Sequence, residues 1–362
     1  MSIFRSPFNP IIQPKDVKPS RPDFEVIGSF NAGVARYHDE VVLLVRIAER
    51  PVNDHPGIYL APVYDPNNHE LKIKEFLKDN PLYNFSDSRV IRTPQGTYLT
   101  SMSHLRIARS TDGVHFEIQE QPALFPANEY ETFGIEDPRI SLIDDTYYIN
   151  YSAISNIGIT TCLASTKDFE SFQRLGVILA PDNKDVEIFP AKVHGKYYAL
   201  HRPSLSHFGN PDIWIAESPD LLCWGNHRYL MGTREGYWDN GRIGGSAVPF
   251  LIEEGWLEIY HGATKDDRYC LGAVLLDRDE PWKVIARSKK PVMEPEVDYE
   301  VNGFFGKVVF CCGVLYEENK VKVYYGAADT VTAYAEIPIA DIMENLSGSK
   351  NSERRGKSCL ID

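Results

Sequence analysis

The stretch DTYYINYSAISNIGITTCLASTKDFESFQRL (145–175) decides how this chain is read. Its first part alternates polar and apolar residues around aromatics, the period-two pattern of a half-buried strand. A second strand then runs into a turn of the A-x-S-x-D type, followed by Phe and a final strand. Immediately upstream, YETFGIEDPRISLIDDTYYINYSA (130–153) reads as a β-hairpin turning at Asp144–Asp145. Glu136, Asp137, Pro138 and Arg139 stand at its mouth, before the apolar part begins. Pro138 predicts an extended backbone at Asp137. Strand spacing puts Asp137 and Arg139 on one face and Glu136 on the other. On residue types alone the same segment also reads as an ordinary hairpin start with a salt-bridged Asp.

Moving outward, the pattern recurs in GTYLTSMSHLRIARSTDGVHFEI (96–118) and GKYYALHRPSLSHFGNPDIWIAESPDLLCWGNHRYL (195–230). Weaker copies lie at 41–65, 255–285 and 321–337. A repeat of about 45–50 residues with four short strands is what a β-propeller blade looks like. The recurring turn argues against a sandwich. Six hairpin units, some incomplete, give an all-β chain with little helix. A turn or two is expected at KIKEFLKDN (72–80) and a short helix at IADIMENL (339–346). The Pro-rich residues 1–29 are expected to wrap as extended chain, 30–346 to form one propeller domain, and 347–362 to be disordered.

Composition suits that reading. Of 362 residues 43% are hydrophobic and 12% aromatic, including 20 Tyr and 17 Phe, which favours strands and tight turns. A net charge of −13 argues against nucleic acid or an anionic membrane as partner. The six cysteines form no C-x-x-C pair and read as buried apolar residues. Without a signal-like start or a membrane-length apolar run, a cytoplasmic location is expected. Association into a homo-oligomer is left open.

In a propeller, polar residues opening the inner strands converge on the axis. The candidates are Asn31, Arg36 and Arg46; Asp87, Ser88 and Arg89; Asp137 and Arg139; Lys184, Asp185 and Glu187; His201 and Arg202; Tyr260 and His261; and Asp298, Tyr299 and Glu300. Carboxylates, arginines and aromatics together suit a carbohydrate. Taken singly, Lys184 and Asp185 read as a solvated turn and His261 as a satisfied core histidine. Arg202, ending an apolar run, needs a partner. No H-E-x-x-H, P-loop, G-x-G-x-x-G or G-x-S-x-G occurs, so no metal, nucleotide or serine-hydrolase site is expected.

GIEDPRI (134–140), KDVEIFPAKVHGKYYALHRP (184–203), GWLEIYHGA (255–263) and FNAGVAR (30–36) resemble glycoside hydrolase family 130. The resemblance runs from about residue 25 to 340. It implies a five-bladed β-propeller, so one of the six units is split or shared. It also implies inverting phosphorolysis of a β-mannoside, most closely β-1,2-mannobiose or short β-1,2-oligomannosides, giving α-mannose 1-phosphate. Asp137 is then the single catalytic acid, acting through the mannose 3-hydroxyl. Lys184, Arg202, Tyr260 and His261 fall at phosphate-binding positions, and Asn31, Arg46, Asp87, Arg89, Arg139 and Asp298 are assigned to the mannoside. Inorganic phosphate is a co-substrate, and no cofactor or metal is implied. The run AVPFLIEEGW (247–256) lacks the lysine that many family phosphorylases carry after the proline matching Pro249. This keeps open a β-1,2-mannosidase in which Glu187 activates water. A sugar-binding propeller without catalysis is the reading from another class.

Overall fold

The computed structural model describes residues 2–204 and 208–347. The tail expected from 347 onward falls outside these residues, apart from Ser347, which ends the helix Ile339–Ser347. Strands dominate the described chain. The alternating stretches form antiparallel sheets as their period demands. Gly134–Ile143, Thr146–Ser155, Gly158–Thr166 and Gln173–Leu179 pair in succession. So do Asn183–Ile188, Tyr197–Pro203, Ile213–Ser218 and Gly225–Met231. Arg242–Gly245, Gly255–Ala263, Tyr269–Leu276 and Val284–Arg287 form a third set, with Phe250–Ile252 added at one side.

Phe24–Tyr37, Glu40–Pro51, Met102–Ser110 and Glu117–Ile118 form another set. It is joined to Gly134–Ile143 by one parallel pair, Gly134 with Ser103. The last set is Val309–Glu317, Lys320–Ala327 and Val331–Pro338, completed by Phe4–Arg5 from the other end of the chain. The Pro-rich start thus supplies an edge strand, and the first long strand begins at Phe24.

Two readings are corrected here. The units at 41–65 and 96–118 are not separate. Glu40–Pro51 pairs directly with Met102–Ser110, and the hairpins Ile58–Asp65/Glu70–Leu77 and Val90–Thr93/Gly96–Leu99 are inserted between them. The turn of helix expected at 72–80 is absent, because Glu70–Leu77 is a strand. Its Lys and Glu residues flank Ile73 and Phe76, and pairing with Ile58–Asp65 overrides their helical preference. The helix expected at 339–346 is present, with Ile342 and Leu346 buried.

The core lies between neighbouring sets. Val42, Leu44, Leu105 and Ile107 pack with Ile149, Ala153 and Ala164. Leu163 packs with Val186, Ile188 and Ala199. Leu200, Ile213 and Ile215 meet Ile243, Tyr260 and Val274. Ile259, Leu271 and Ala273 meet Val309, Val321, Val323 and Ala333. Tyr324 and Tyr334 meet Val34, Leu43 and Val45, returning to the first set. Among the leading strands, Gly134–Ile143 contacts Phe24–Tyr37, Asn183–Ile188 and Val309–Glu317, Asn183–Ile188 contacts Arg242–Gly245, and Phe24–Tyr37 contacts Val309–Glu317.

Register breaks interrupt four of the leading strands, three of them at residues singled out in the sequence. The ladders slip between Phe30 and Gly33, between Glu136 and Arg139, and between Lys184 and Glu187. Within these bulges Asn31, Asp137 and Asp185 have φ of 51°, 51° and 53°. Asn and Asp tolerate this left-handed region better than most residues. The extended backbone expected at Asp137 is therefore corrected. A bulge leaves one residue outside the ladder and re-aims its side chain, which offsets the restriction from Pro138.

Candidate active site

The bulged strands bring their polar side chains to one cavity of about 480 Å³. Asn31, Arg46, Arg89, Asp137, Lys184, Arg202 and His261, all singled out in the sequence, line it. They come from different sets of strands, hundreds of residues apart at the extremes.

Asp137 is 3% exposed. Its Oδ1 accepts from Asn31 Nδ2 at 3.0 Å and from Arg46 Nη1 at 2.9 Å. Arg46 also donates to Glu136 Oε1 at 2.7 Å and to Ser103 Oγ at 3.0 Å, with its guanidinium 4.7 Å from the Phe30 ring centre. Burial works to raise the Asp137 pKa. The charges of Arg46, Lys184 and Arg139 and the Asn31 hydrogen bond outweigh it, holding the carboxyl below its ordinary range.

Arg139 does not bind that carboxylate and does not line the cavity. It crosses to the leading strand of another set, donating to Ser246 O at 3.1 Å and Gly245 O at 3.2 Å, and to the Asp137 carbonyl at 3.0 Å. At 1% exposure it clamps two sets together behind the site.

The cationic side centres on Asp185, which is 1% exposed and is no solvated turn. Arg202 grips its Oδ2 with Nε at 2.7 Å and Nη2 at 2.6 Å. His261 Nε2 stands 3.5 Å away, and Arg139 Nη2 is 3.6 Å from Oδ1. Burial opposes ionisation of Asp185, yet Arg202, His261, Lys184 and Arg139 pull its pKa well below the carboxylate range. His261 is buried, 4.6 Å from the Phe310 ring centre, with Nδ1 3.2 Å from Ser246 Oγ. Burial lowers its pKa to about 3 despite Asp185, so it is a neutral donor or acceptor at pH 7. Lys184 has no ion-pair or side-chain hydrogen-bond partner among the described residues.

Besides Arg139, three residues assigned to phosphate or the mannoside are not brought to the cavity. Tyr260 neighbours His261 on one strand and so projects to the opposite face. Its hydroxyl donates to Asp239 Oδ2 at 2.9 Å and accepts from Arg287 Nε at 3.0 Å. Asp298 is exposed and accepts from Asn302 at 2.8 Å. Asp87 stands back from the cavity and holds Arg89 through two 3.0 Å hydrogen bonds, which lower its pKa to about 2. Arg89 itself reaches the Phe305 ring at 5.2 Å.

Glu187 also lies outside the cavity. It is fully buried, and a Cβ on Gly245 would overlap its carboxylate. Burial, then the nearby Glu258, raises its pKa well above normal.

Other lining residues were missed. Asp329 follows the strand Lys320–Ala327, and burial raises its pKa to about 6 against the pull of Arg46. Arg242, Asp267 and Tyr269 form another cluster on the wall. Asp329 sits in the turn YYGAADT with φ of 49°, a signal that the sequence carried only as an Ala-Asp turn. Among the described residues, no group of three or more His, Cys, Asp or Glu is placed to hold a metal.

A family model described as beta-1,4-mannooligosaccharide phosphorylase matches residues 96–347. The chain belongs to glycoside hydrolase family 130. It is 54% identical to a Beta-1,2-mannobiose phosphorylase of Listeria innocua, over 96% of this chain and 99% of that protein. The solved structure of the Listeria enzyme with beta-1,2-mannobiose superposes with a TM-score of 0.93, over the same shares of the two chains. A 1,2-beta-oligomannan phosphorylase of Thermoanaerobacter sp. is 39% identical over 73% of this chain and 88% of its own length. Family membership thus rests on the family model over 96–347 and on a relative matched over 96% of the chain.

Proposed function

We propose that this protein is an inverting phosphorylase acting on β-1,2-mannobiose and short β-1,2-oligomannosides, with inorganic phosphate as co-substrate. Its products are α-mannose 1-phosphate and the shortened sugar. One observation carries the reading: the buried carboxyl of Asp137 shares a cavity with Lys184, a cation without an ion-pair partner among the described residues, and with Arg202. An inverting hydrolase needs a second carboxylate to activate water. A phosphorylase instead needs cations and donors that hold an anionic nucleophile in line. The full-length likeness to the Listeria enzyme supports the β-1,2 linkage.

In this reading Asn31 and Arg46 hold Asp137 against the mannosyl unit, and Lys184, Arg202 and neutral His261 hold phosphate. A phosphate oxygen attacks C1 as the C1–O glycosidic bond breaks. The departing oxygen takes the proton of Asp137 by way of the mannose 3-hydroxyl. Phosphate next to Asp137 raises its pKa by like-charge repulsion, which brings the carboxyl toward the protonated form that the step consumes. Arg46 and Asn31 then stabilise the carboxylate left behind.

The fold belongs to the same proposal. We take the five sets of strands as blades of a five-bladed propeller forming one catalytic domain, which extends the expected 30–346 back through Phe24 to the edge strand Phe4–Arg5, and the leading strands as the channel lining. The succession of shared cores, which returns to its start, supports this. A cytoplasmic location fits the free thiols of Cys162, Cys223, Cys270, Cys311 and Cys312.

The test is incubation with β-1,2-mannobiose, and with β-1,4-mannobiose for comparison, with and without phosphate, the products being read by NMR. α-Mannose 1-phosphate formed only with phosphate is expected. Free mannose released at an equal rate without phosphate would make it a mannosidase. Binding without any turnover would make it a sugar-binding protein.

A further inference from the structure

We propose that Arg242 has two alternative partners, Asp267 and the phosphate co-substrate, so that Asp267 is a built-in competitor setting phosphate affinity. The inference rests on the phosphorolytic reading above and adds a regulation of that site. Arg242 begins the leading strand Arg242–Gly245. It shares a face with Gly244, two residues on. A Cβ on Gly244 would stand 2.5 Å from Asp185 Oδ2 and from His261 Cε1. Arg242 therefore starts about 7 Å along the same face from the Asp185–His261 contact, within reach of an arginine side chain. Asp267 lies in the turn after Gly255–Ala263, and both residues line the cavity with Lys184 and Arg202.

Charge balance calls for a further cation, and its place on the Gly244 face beside Asp185 and His261 selects Arg242 over Arg89, whose pair with Asp87 is also exposed. Phosphate brings roughly one to two negative charges. Arg202 is already matched by Asp185, and Arg46 by Glu136 and Asp137. Lys184 alone leaves the dianion half compensated. Arg202 donates to phosphate while keeping Asp185, so its charge is shared; giving it over entirely would strip a pair whose side chains are 12% and 1% exposed, a costly separation. The Arg242 Nη2–Asp267 Oδ1 pair, at 2.6 Å, has side chains 42% and 46% exposed. Such a pair competes by a factor of about five at most, and water solvates Asp267 once it is released. Arg242 Nη1 also donates to Tyr269 OH at 2.8 Å. The Tyr269 ring stacks beside His261, with centroids 6.1 Å apart, so the tyrosine steers the guanidinium toward the phosphate side.

The experiment compares the full-length protein with Asp267→Asn, Arg242→Gln and the double variant. Phosphate KM and mannobiose KM are measured in phosphorolysis, and the Kd of inorganic phosphate by calorimetry without sugar. Asp267→Asn is expected to tighten phosphate by about two- to fivefold, with mannobiose KM changed by less than about twofold. Arg242→Gln weakens phosphate by about tenfold or more, and in its background Asp267→Asn has little further effect. Weaker or unchanged phosphate binding in Asp267→Asn overturns the exchange. So does an equal gain with Arg242 removed, which would be mere relief of repulsion. Lack of phosphate-dependent turnover in the unsubstituted protein refutes the phosphorylase reading instead, and the calorimetric comparison then still decides whether Arg242 exchanges Asp267 for phosphate.

Discussion

Replacing Asp185 with asparagine removes the charge around which the cationic side of the site is built. Its carboxylate takes Arg202 at 2.7 and 2.6 Å and lies 3.6 Å from Arg139. Removing one partner of a buried ion pair costs about 3–5 kcal/mol, because the other charge stays buried. Arg139 keeps its three carbonyl acceptors, and Arg202 is 12% exposed at its side chain. The lower end, about 3 kcal/mol, is therefore expected. Because the Asp185 pKa is depressed, its stabilisation is present at neutral pH and lost as pH falls below the carboxylate range.

Phosphate should repair part of the loss. A ligand at a hundred times its Kd stabilises a fold by about 2.7 kcal/mol, and each tenfold gain in affinity adds about 1.4 kcal/mol. Arg202 freed from Asp185 should bind phosphate more tightly, so phosphate should stabilise the variant by about 1 kcal/mol more than the parent. Chemical denaturation at pH 7, with phosphate or with chloride at matched ionic strength, reads both effects. A loss below about 1 kcal/mol, or equal phosphate stabilisation of parent and variant, would refute the assignment of Asp185 and Arg202 to one electrostatic unit beside phosphate.

Asp137→Asn keeps acceptors for Asn31 and Arg46 but lacks the acid. Its kcat should fall by about 10²–10⁴, with β-1,2-mannobiose still bound in calorimetry; a variant retaining a tenth of the activity would remove Asp137 from the step. Tyr260→Phe should cost about 1–2 kcal/mol in denaturation, since Asp239 and Arg287 lose a buried partner. Phosphate KM should stay within about twofold, and a large rise would return Tyr260 to the site. Burial raises the Glu258 pKa to about 8, so the folded state keeps a proton that the unfolded chain releases above about pH 4.5. Stability should therefore fall from that pH up to about 8, and Glu258→Gln should reduce the slope by about 1.4 kcal/mol per pH unit. An unchanged slope in a denaturation series across that range would place the proton elsewhere.

The sequence by itself determined the strands, because alternation and turn residues act over a few neighbours. It placed Asn31, Asp137, Lys184, Arg202 and His261 where they line a shared cavity, because motifs such as GIEDPRI and LHRP mark polar groups at the ends of apolar strands. Only the tertiary structure decided which strands pair across insertions, as with Glu40–Pro51 and Met102–Ser110. It also decided that strand Glu70–Leu77 would override its helical composition. The faces of Tyr260 and His261 depend on which side of one strand meets the cavity, and nothing local distinguishes them. The bulges at Asn31, Asp137 and Asp185 override the simple period of two. Asp329, Arg242 and Asp267 carry no motif and become site residues only when distant sets of strands close around the same space. A period is a property of one segment, whereas a cavity is a property of all the segments that pack around it.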